Sequence, residues 1–258
     1  MTKNMKSEGN RAYLLLELGG KRLEDYFDQK VIERHGSKSM NNKKKEYLLL
    51  RNILKGAAQA LQQFHQHGIH MDVKQDNFLI ALDENQSEPN PGPESTETIP
   101  VKLIDFNLSV IHSKEHDANA INKGQGMRAP EILNNSHPVT EVSSKVDVWS
   151  FGLMVHELYN NESFANTKHE DMIRILNMRI TPNQNDSLNR LIKVCVLDNP
   201  SDRPTMEEIV QFLNGEIEYF GYELREMERL ENVRLEEEQR KKDECRRKLR
   251  NRLFCGLC

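Results

Sequence analysis

The sequence predicts a mainly α fold of the α+β class, and three observations carry that reading. Residues 46–65 repeat apolar side chains at three- and four-residue spacing, with Leu48, Leu49, Ile53, Leu54, Ala58, Leu61 and Phe64 along one stripe of an amphipathic helix. Residues 146–158 are apolar nearly all round through Val148, Trp149, Phe151, Met154 and Val155, the pattern of a helix at the centre of a core. Two short apolar runs, Phe78–Ala81 and Val101–Ile104, read as a pair of strands, and a charged strip from His70 to Asn77 leads into the first.

A chain of 258 residues with 37% hydrophobic residues can bury one good core. Its net charge of −4 and pI near 6.2 give no overall attraction to nucleic acid, so no specific nucleic-acid partner is expected. Cys195, Cys245, Cys255 and Cys258 have no framework spacing, which predicts a reducing, cytoplasmic or nuclear setting. No apolar run reaches transmembrane length.

In chain order, residues 1–11 are polar and unpatterned and are expected to be disordered. Ala12–Leu18 reads as a strand entering a tight connection at Gly19 and Gly20. Lys21–Gln29 reads as a short helix with Leu23, Tyr26 and Phe27 on one side. The helix over 46–65 delivers the chain to Gly68 and the charged strip. Asp83–Pro100, rich in Glu, Asn, Pro and Ser, cannot bury enough apolar area to fold by itself, and residues 83–98 are expected to be a flexible insertion. Asp105 ends the run Lys102-Leu103-Ile104-Asp105-Phe106, where a carboxylate must be paired or bind a cation. Leu188–Leu197 and Thr205–Leu213 complete the helical set, with Thr205 as N-cap and Glu207 and Glu208 in the favourable first turn.

Residues 215–258 form a charged helical tail with a basic end. Ile217, Phe220, Leu224, Met227, Leu230 and Val233 give a loose stripe, and residues 240–252 hold eight Lys/Arg against Asp243 and Glu244. Three readings stay open: a solvated helix, a partner helix of a coiled coil, and attraction of the basic end to an acidic membrane surface. Cys255 after the polybasic run resembles a prenylation signal.

The strip itself points to chemistry. Asp72, Lys74 and Asn77 can lie along one side of an extended loop, offering a carboxylate to orient a hydroxyl, an ammonium to offset charge and an amide oxygen to hold a metal. That set suits phosphoryl transfer. Five pieces then follow in one order: His70-Met71-Asp72-Val73-Lys74 with Asn77, Asp105-Phe106-Asn107, Ala129-Pro130-Glu131, Asp147-Val148-Trp149-Ser150-Phe151-Gly152, and Asp202-Arg203-Pro204. In this order they resemble the protein kinase family, of the Ser/Thr type, over residues 12–214.

The resemblance implies the C-terminal lobe of a kinase, with a short β-hairpin at the active site and a residual hinge strand. It implies ATP-dependent phosphoryl transfer to a protein Ser or Thr hydroxyl, Lys74 favouring these over Tyr. Asp72 would orient the hydroxyl and accept its proton, Lys74 would stabilise the moving group, and Asn77 and Asp105 would hold Mg²⁺. The backbone at Glu17 and Leu18, beyond a gatekeeper at Leu16, would meet the adenine edge, with Leu79 below the ring. Asp147 would hold the loop by its backbone N–H groups, and Glu131 and Arg203 would form a buried pair.

The chain also departs from the family pattern. Residues 1–11 hold no Gly-rich loop, strand lysine or helix glutamate, and only Ile69 separates Gly68 from His70 where the family usually has two residues. Met71 stands in the place of an arginine, Asn107 of a glycine, and Gly124 and Met127 of the usual Thr and Tyr. These departures set the alternative: a catalytically inactive pseudokinase or kinase fragment acting as a protein-binding module.

Overall fold

The computed structural model describes residues 4–8, 11–15, 17–111, 128–133, 142–162, 164, 167, 171, 172, 174 and 186–254. They fall into two units, Met1–Ile217 and Glu218–Cys258.

The first unit is built on two helices. α3 (Tyr47–His65) buries Leu49, Leu50, Ile53, Leu54, Ala57, Ala58 and Leu61; of the stripe that the spacing marks out, Leu48 and Phe64 are only half-buried. α5 (Lys145–Asn160) is buried on nearly every side, as its all-round apolar sequence requires. α6 (Ser187–Cys195) packs on α5, and Gly152 makes that approach close: a Cβ there would lie 2.5 Å from Cys195 Cβ. α7 (Met206–Asn214) packs on α3 and begins with a capping box, Thr205 Oγ1 accepting from Glu208 N while the Glu208 carboxylate accepts from Thr205 N. Shorter helices α1 (Leu23–His35), α2 (Met40–Lys45) and α4 (Pro130–Leu133) surround this core.

The strands are few and antiparallel. β1 (Asn4–Glu8) pairs with β2 (Arg11–Leu15). β3 (Gly19–Arg22), β5 (Phe78–Ala81) and β6 (Val101–Leu103) form one sheet in the order β3-β5-β6, with Leu79 opposite both Arg22 and Lys102. β4 (Gly68–Ile69) pairs with β7 (Val110–Ile111).

Three sequence expectations shift. Residues 4–8, expected to be unstructured, form a strand, because backbone pairing needs no apolar pattern. The strand expected over 12–18 is divided: β2 ends at Leu15, and β3 is the strand that joins the sheet. α1 runs to His35 rather than Gln29, since Val31 continues the buried face of Phe27 and the helix stops only at Gly36 in the left-handed region (φ 77°).

Residues 83–98 lack regular structure, as their composition predicts, yet the segment lies bound along α1 and α3. Tyr26 Oη donates to Pro89 O (2.6 Å), Lys21 N and Nζ donate to the Glu88 carboxylate (2.8 and 2.6 Å), and Asn52 Nδ2 donates to Ser95 O (2.6 Å). At its far end Ile99 is buried and its carbonyl oxygen lies where a side chain at Gly56 would stand. Composition reports apolar area; it does not register polar anchors supplied by a neighbouring helix.

The second unit is the single helix α8 (Gly221–Phe254). Leu224, Met227, Leu230, Val233 and Leu235 are exposed along it. Residues three apart rotate by about 60° per step around a helix, so Leu224, Met227, Leu230 and Val233 spiral rather than form one line. Cys255 lies outside the described residues, among which no helix is long and apolar enough to cross a membrane.

Candidate active site

The loop that carries the charged strip is fixed by the core helix beneath it. Asp147, in the first turn of α5 and 1% exposed, accepts from His70 N (2.7 Å) and His65 Nε2 (3.0 Å) on one oxygen and from Met71 N (2.8 Å) on the other. Two successive N–H groups aimed at one carboxylate demand a sharp turn, and Met71 takes φ 68° to make it. Such a conformation costs a non-glycine residue about 1–2 kcal/mol and persists because charged acceptors hold it. The fully buried His70 then ties the loop to the end of β6, its Nε2 lying 3.0 Å from Ile104 O. A carbonyl only accepts, so Nε2 carries the proton and Nδ1 faces Asp72 N at 3.4 Å. Phe64 and Phe106 meet the His70 ring edge-on, at 5.8 and 5.5 Å.

Asp72, Lys74 and Asn77 do converge. Asp72 Oδ2 accepts from Lys74 Nζ (2.7 Å) and from Asn77 Nδ2 (2.9 Å), and Asn77 Nδ2 also donates to Asp72 O (2.7 Å). Both bonds fall on one carboxylate oxygen, so among the described residues Asp72 Oδ1 has no hydrogen-bond donor. The same bonds turn Asn77 so that its amide oxygen is the uncommitted end. Gln75 is held from the side, its Nε2 donating to Glu24 (2.6 Å), whose carboxyl is pushed up by burial first and by Asp28 second.

Asp105 arrives beside Asn77 through the sheet. Phe78 pairs with Leu103, and Asn77 O accepts from Ile104 N (2.9 Å), which leaves Asp105 as the next residue. Asp105 sits at φ 61°, and Asn107 Nδ2 donates to its Oδ1 (2.7 Å). Asn107 stands where the family has a glycine, but the left-handed backbone angle is at Asp105. Asn107 is not in the left-handed region, so its side chain costs no strain and anchors the carboxylate instead. The Asn77 amide oxygen and Asp105 Oδ2 are the kind of hard oxygen donors that Mg²⁺ takes. Among the described residues there is no cluster of three or more His, Cys, Asp and Glu side chains, so a metal held here would complete its shell with phosphate and water oxygens.

Glu17, Leu18 and Leu79, which the resemblance would set against adenine, lie on or beside the β3-β5-β6 sheet. Leu79 on β5 packs so tightly against Gly19 that a Cβ there would lie 2.5 Å from Leu79 Cδ1. Lys102 Nζ pairs with Glu17 (2.7 Å) and donates to Leu18 O (3.3 Å), while the Leu18 side chain is 65% exposed. Leu16, Gly124 and Met127 lie outside the described residues. Farther off, Arg203 and Glu131 form the predicted buried pair (2.6 and 2.9 Å).

Sequence reasoning missed His65, Lys102 and the bracing by Asn107. His65 and Lys102 carry no local signal, since a polar residue at a helix end or in a strand is ordinarily solvated. Asn107 was visible as a departure from the family, but only the fold shows what it touches.

Comparison with known proteins gives a consistent answer. The family model of the protein kinase domain matches residues 2–213. A probable LRR receptor-like serine/threonine-protein kinase of Arabidopsis thaliana is 28% identical over 207 residues, covering 69% of this chain and 18% of the relative. Calcium-dependent protein kinase 14 of Arabidopsis thaliana is 28% identical over 168 residues, covering 62% of this chain and 28% of the relative. Dual specificity protein kinase shkD of Dictyostelium discoideum is 30% identical over 183 residues, covering 66% and 22%. The chain thus spans less than a third of the length of these curated relatives.

Proposed function

The chain belongs to the protein kinase domain family, and from that premise we propose that its site transfers the γ-phosphoryl group of ATP to a serine or threonine hydroxyl of a protein. The observation that carries the proposal is the division of labour within Asp72: Oδ2 is anchored by Lys74 and Asn77, and Oδ1 is left for a substrate hydroxyl. A hydroxyl donating to Oδ1 is oriented for attack, and its proton has a carboxylate to go to as the new bond forms. The Lys74 ammonium, held 2.7 Å from Oδ2, offsets negative charge building next to the hydroxyl. Asn77 and Asp105 would hold Mg²⁺ through their uncommitted oxygens; when bound, Mg²⁺ and ATP supply the charge compensation and the group to be transferred. Glu17 and Leu18 would offer backbone groups to the adenine edge, with Leu79 beneath. Preference for Ser and Thr is supported by Lys74 and by the receptor-like relative, which is named a serine/threonine kinase.

The test is thermal melting of the 258-residue chain with ATP, with and without Mg²⁺, followed by a phosphoryl-transfer assay. Saturating nucleotide at a hundred times its Kd adds about 2.7 kcal/mol to the folded state, a rise of several degrees. The expected pattern is a Mg²⁺-dependent rise that Asp105→Asn removes. Asp72→Asn should keep the rise and lose transfer. A cooperative melt with no response to Mg²⁺ and ATP would refute the proposal for this chain and leave the protein-binding module in its place.

A further inference from the structure

α8 has a charge asymmetry that the proposed activity does not use. Residues 221–239 carry seven Glu and three Arg, and residues 240–252 carry eight Lys/Arg against Asp243 and Glu244. The first half is therefore acidic and the second basic, on one helix of thirty-four residues. A helix of that kind repels a parallel copy of itself along its whole length and attracts an antiparallel one.

The exposed side chains follow the same logic. At 100° per residue, Leu224, Met227, Leu235, Glu238, Lys242 and Cys245 share a stripe about 80° wide, and all six are exposed. Some charged residues of the helix pair within it, as in Arg229–Glu226, Arg234–Glu231 and Lys248–Glu244. Glu236 and Arg240, Glu237 and Lys241, and Glu238 and Lys242 all stand at the favourable four-residue spacing and form no such pair among the described residues, and of these only Glu238 and Lys242 lie on the stripe. We infer that α8 pairs antiparallel with α8 of a second copy of this chain, in the register that sets Glu238 against the partner's Lys242. Twofold symmetry repeats that contact in reverse. The same register places Leu235 opposite the partner's Cys245 and overlaps about 29 residues, roughly four heptads, which is the length a coiled coil needs.

The experiment uses the full chain carrying Cys255→Ser and Cys258→Ser, and it is independent of nucleotide binding. Sedimentation equilibrium should show a monomer–dimer equilibrium. Glu238→Lys and Lys242→Glu should each raise the dimer dissociation constant about tenfold or more, with helicity unchanged by circular dichroism. Mixing the two variants should restore association, because each then meets its complement. Orientation is read by adding Leu235→Cys and a mild copper–phenanthroline oxidation. The antiparallel register yields an intermolecular bond between positions 235 and 245, identified by peptide mass. A monomer at every concentration, a bond between two Cys245 side chains, or a monomer that binds vesicles of anionic lipid would each overturn the inference.

Discussion

Arg203 gives the sharpest test of how this fold is held. Its side chain is fully buried and its guanidinium has five N–H donors, all of them used. Nε donates to Leu197 O (2.7 Å), Nη1 to Glu131 Oε1 (2.6 Å) and Lys145 O (3.0 Å), and Nη2 to Glu131 Oε2 (2.9 Å) and Asp198 O (3.2 Å). Its Cζ also lies over the Trp149 ring, 4.9 Å from the ring centre. Arg203→Lys keeps the charge but not the fork. An ammonium has three N–H donors against the guanidinium's five, so at least two of the five bonds are lost at about 1 kcal/mol each, with about 1 kcal/mol more from the weaker contact with Trp149. The expected loss is about 3 kcal/mol for Arg203→Lys. It rises to about 3–5 kcal/mol for Arg203→Met, which also strands Glu131. Trp149 is the one tryptophan of the chain, so its fluorescence during urea unfolding reports this site directly. With a slope of about 3 kcal/mol per molar urea, the lysine variant should unfold about 1 M earlier. A lysine variant within about 0.5 kcal/mol of the parent at unchanged slope would show that the fork is not what anchors the segment after Pro130.

Four further outcomes follow from particular contacts. Asp147→Asn replaces one acceptor of the Met71 and His70 N–H groups with a donor; it should cost about 2–3 kcal/mol and weaken the Mg²⁺-dependent response to ATP in the same melting assay. Gly56→Ala puts a Cβ 1.9 Å from Ile99 O, so limited proteolysis should cut residues 83–98 faster than in the parent, and an unchanged digestion pattern would speak against the docked segment. Burial pushes the Cys195 thiol far up while Cys245 is exposed on the single chain, so at concentrations where the chain is monomeric iodoacetamide should label Cys245 in the native protein and Cys195 only after unfolding, read by peptide mass. Burial, and then Glu88, push the Tyr26 phenol up to about 12. The unfolded chain titrates near its ordinary value of about 10, so this stability is complete below about pH 10 and is lost as pH rises toward about 12. The fall in melting temperature over that window should be shallower for Tyr26→Phe; Tyr159, also raised by burial and by its bond to Asp186, supplies part of the remaining slope.

Periodicity located the helices because burial enforces it: α3 and α5 hide most of the side chains that their spacing marks. The convergence of Asp72, Lys74 and Asn77 was legible for a different reason, since all three lie within one short loop whose geometry is local. Long-range partners were not legible. That Lys102 reaches Glu17 and Leu18 depends on the β3-β5-β6 order, and that residues 83–98 lie along α1 depends on Tyr26, Lys21 and Lys30 facing one way. No window of sequence contains both ends of these contacts. Asn107 shows the reverse case. It departs from the family pattern in sequence, and the fold makes it a hold on Asp105.

Asp147 explains why the site is so closely bound to the core. It is buried in the first turn of α5, a helix with thirteen of its sixteen residues buried, and its two oxygens set the backbone of His70 and Met71. His70 in turn reaches Ile104 O, the last backbone group before Asp105. Asp72 and Asp105 are thus positioned by one chain of contacts that begins at a carboxylate the solvent hardly reaches. A carboxylate buried with a histidine and two backbone donors is costly to disturb, because removing any partner leaves charge or polar groups unsatisfied where water cannot compensate. A site built on loops usually moves with its loops; here the loop can shift only if α5 shifts, so core stability and the spacing of Asp72 to Asp105 should change together.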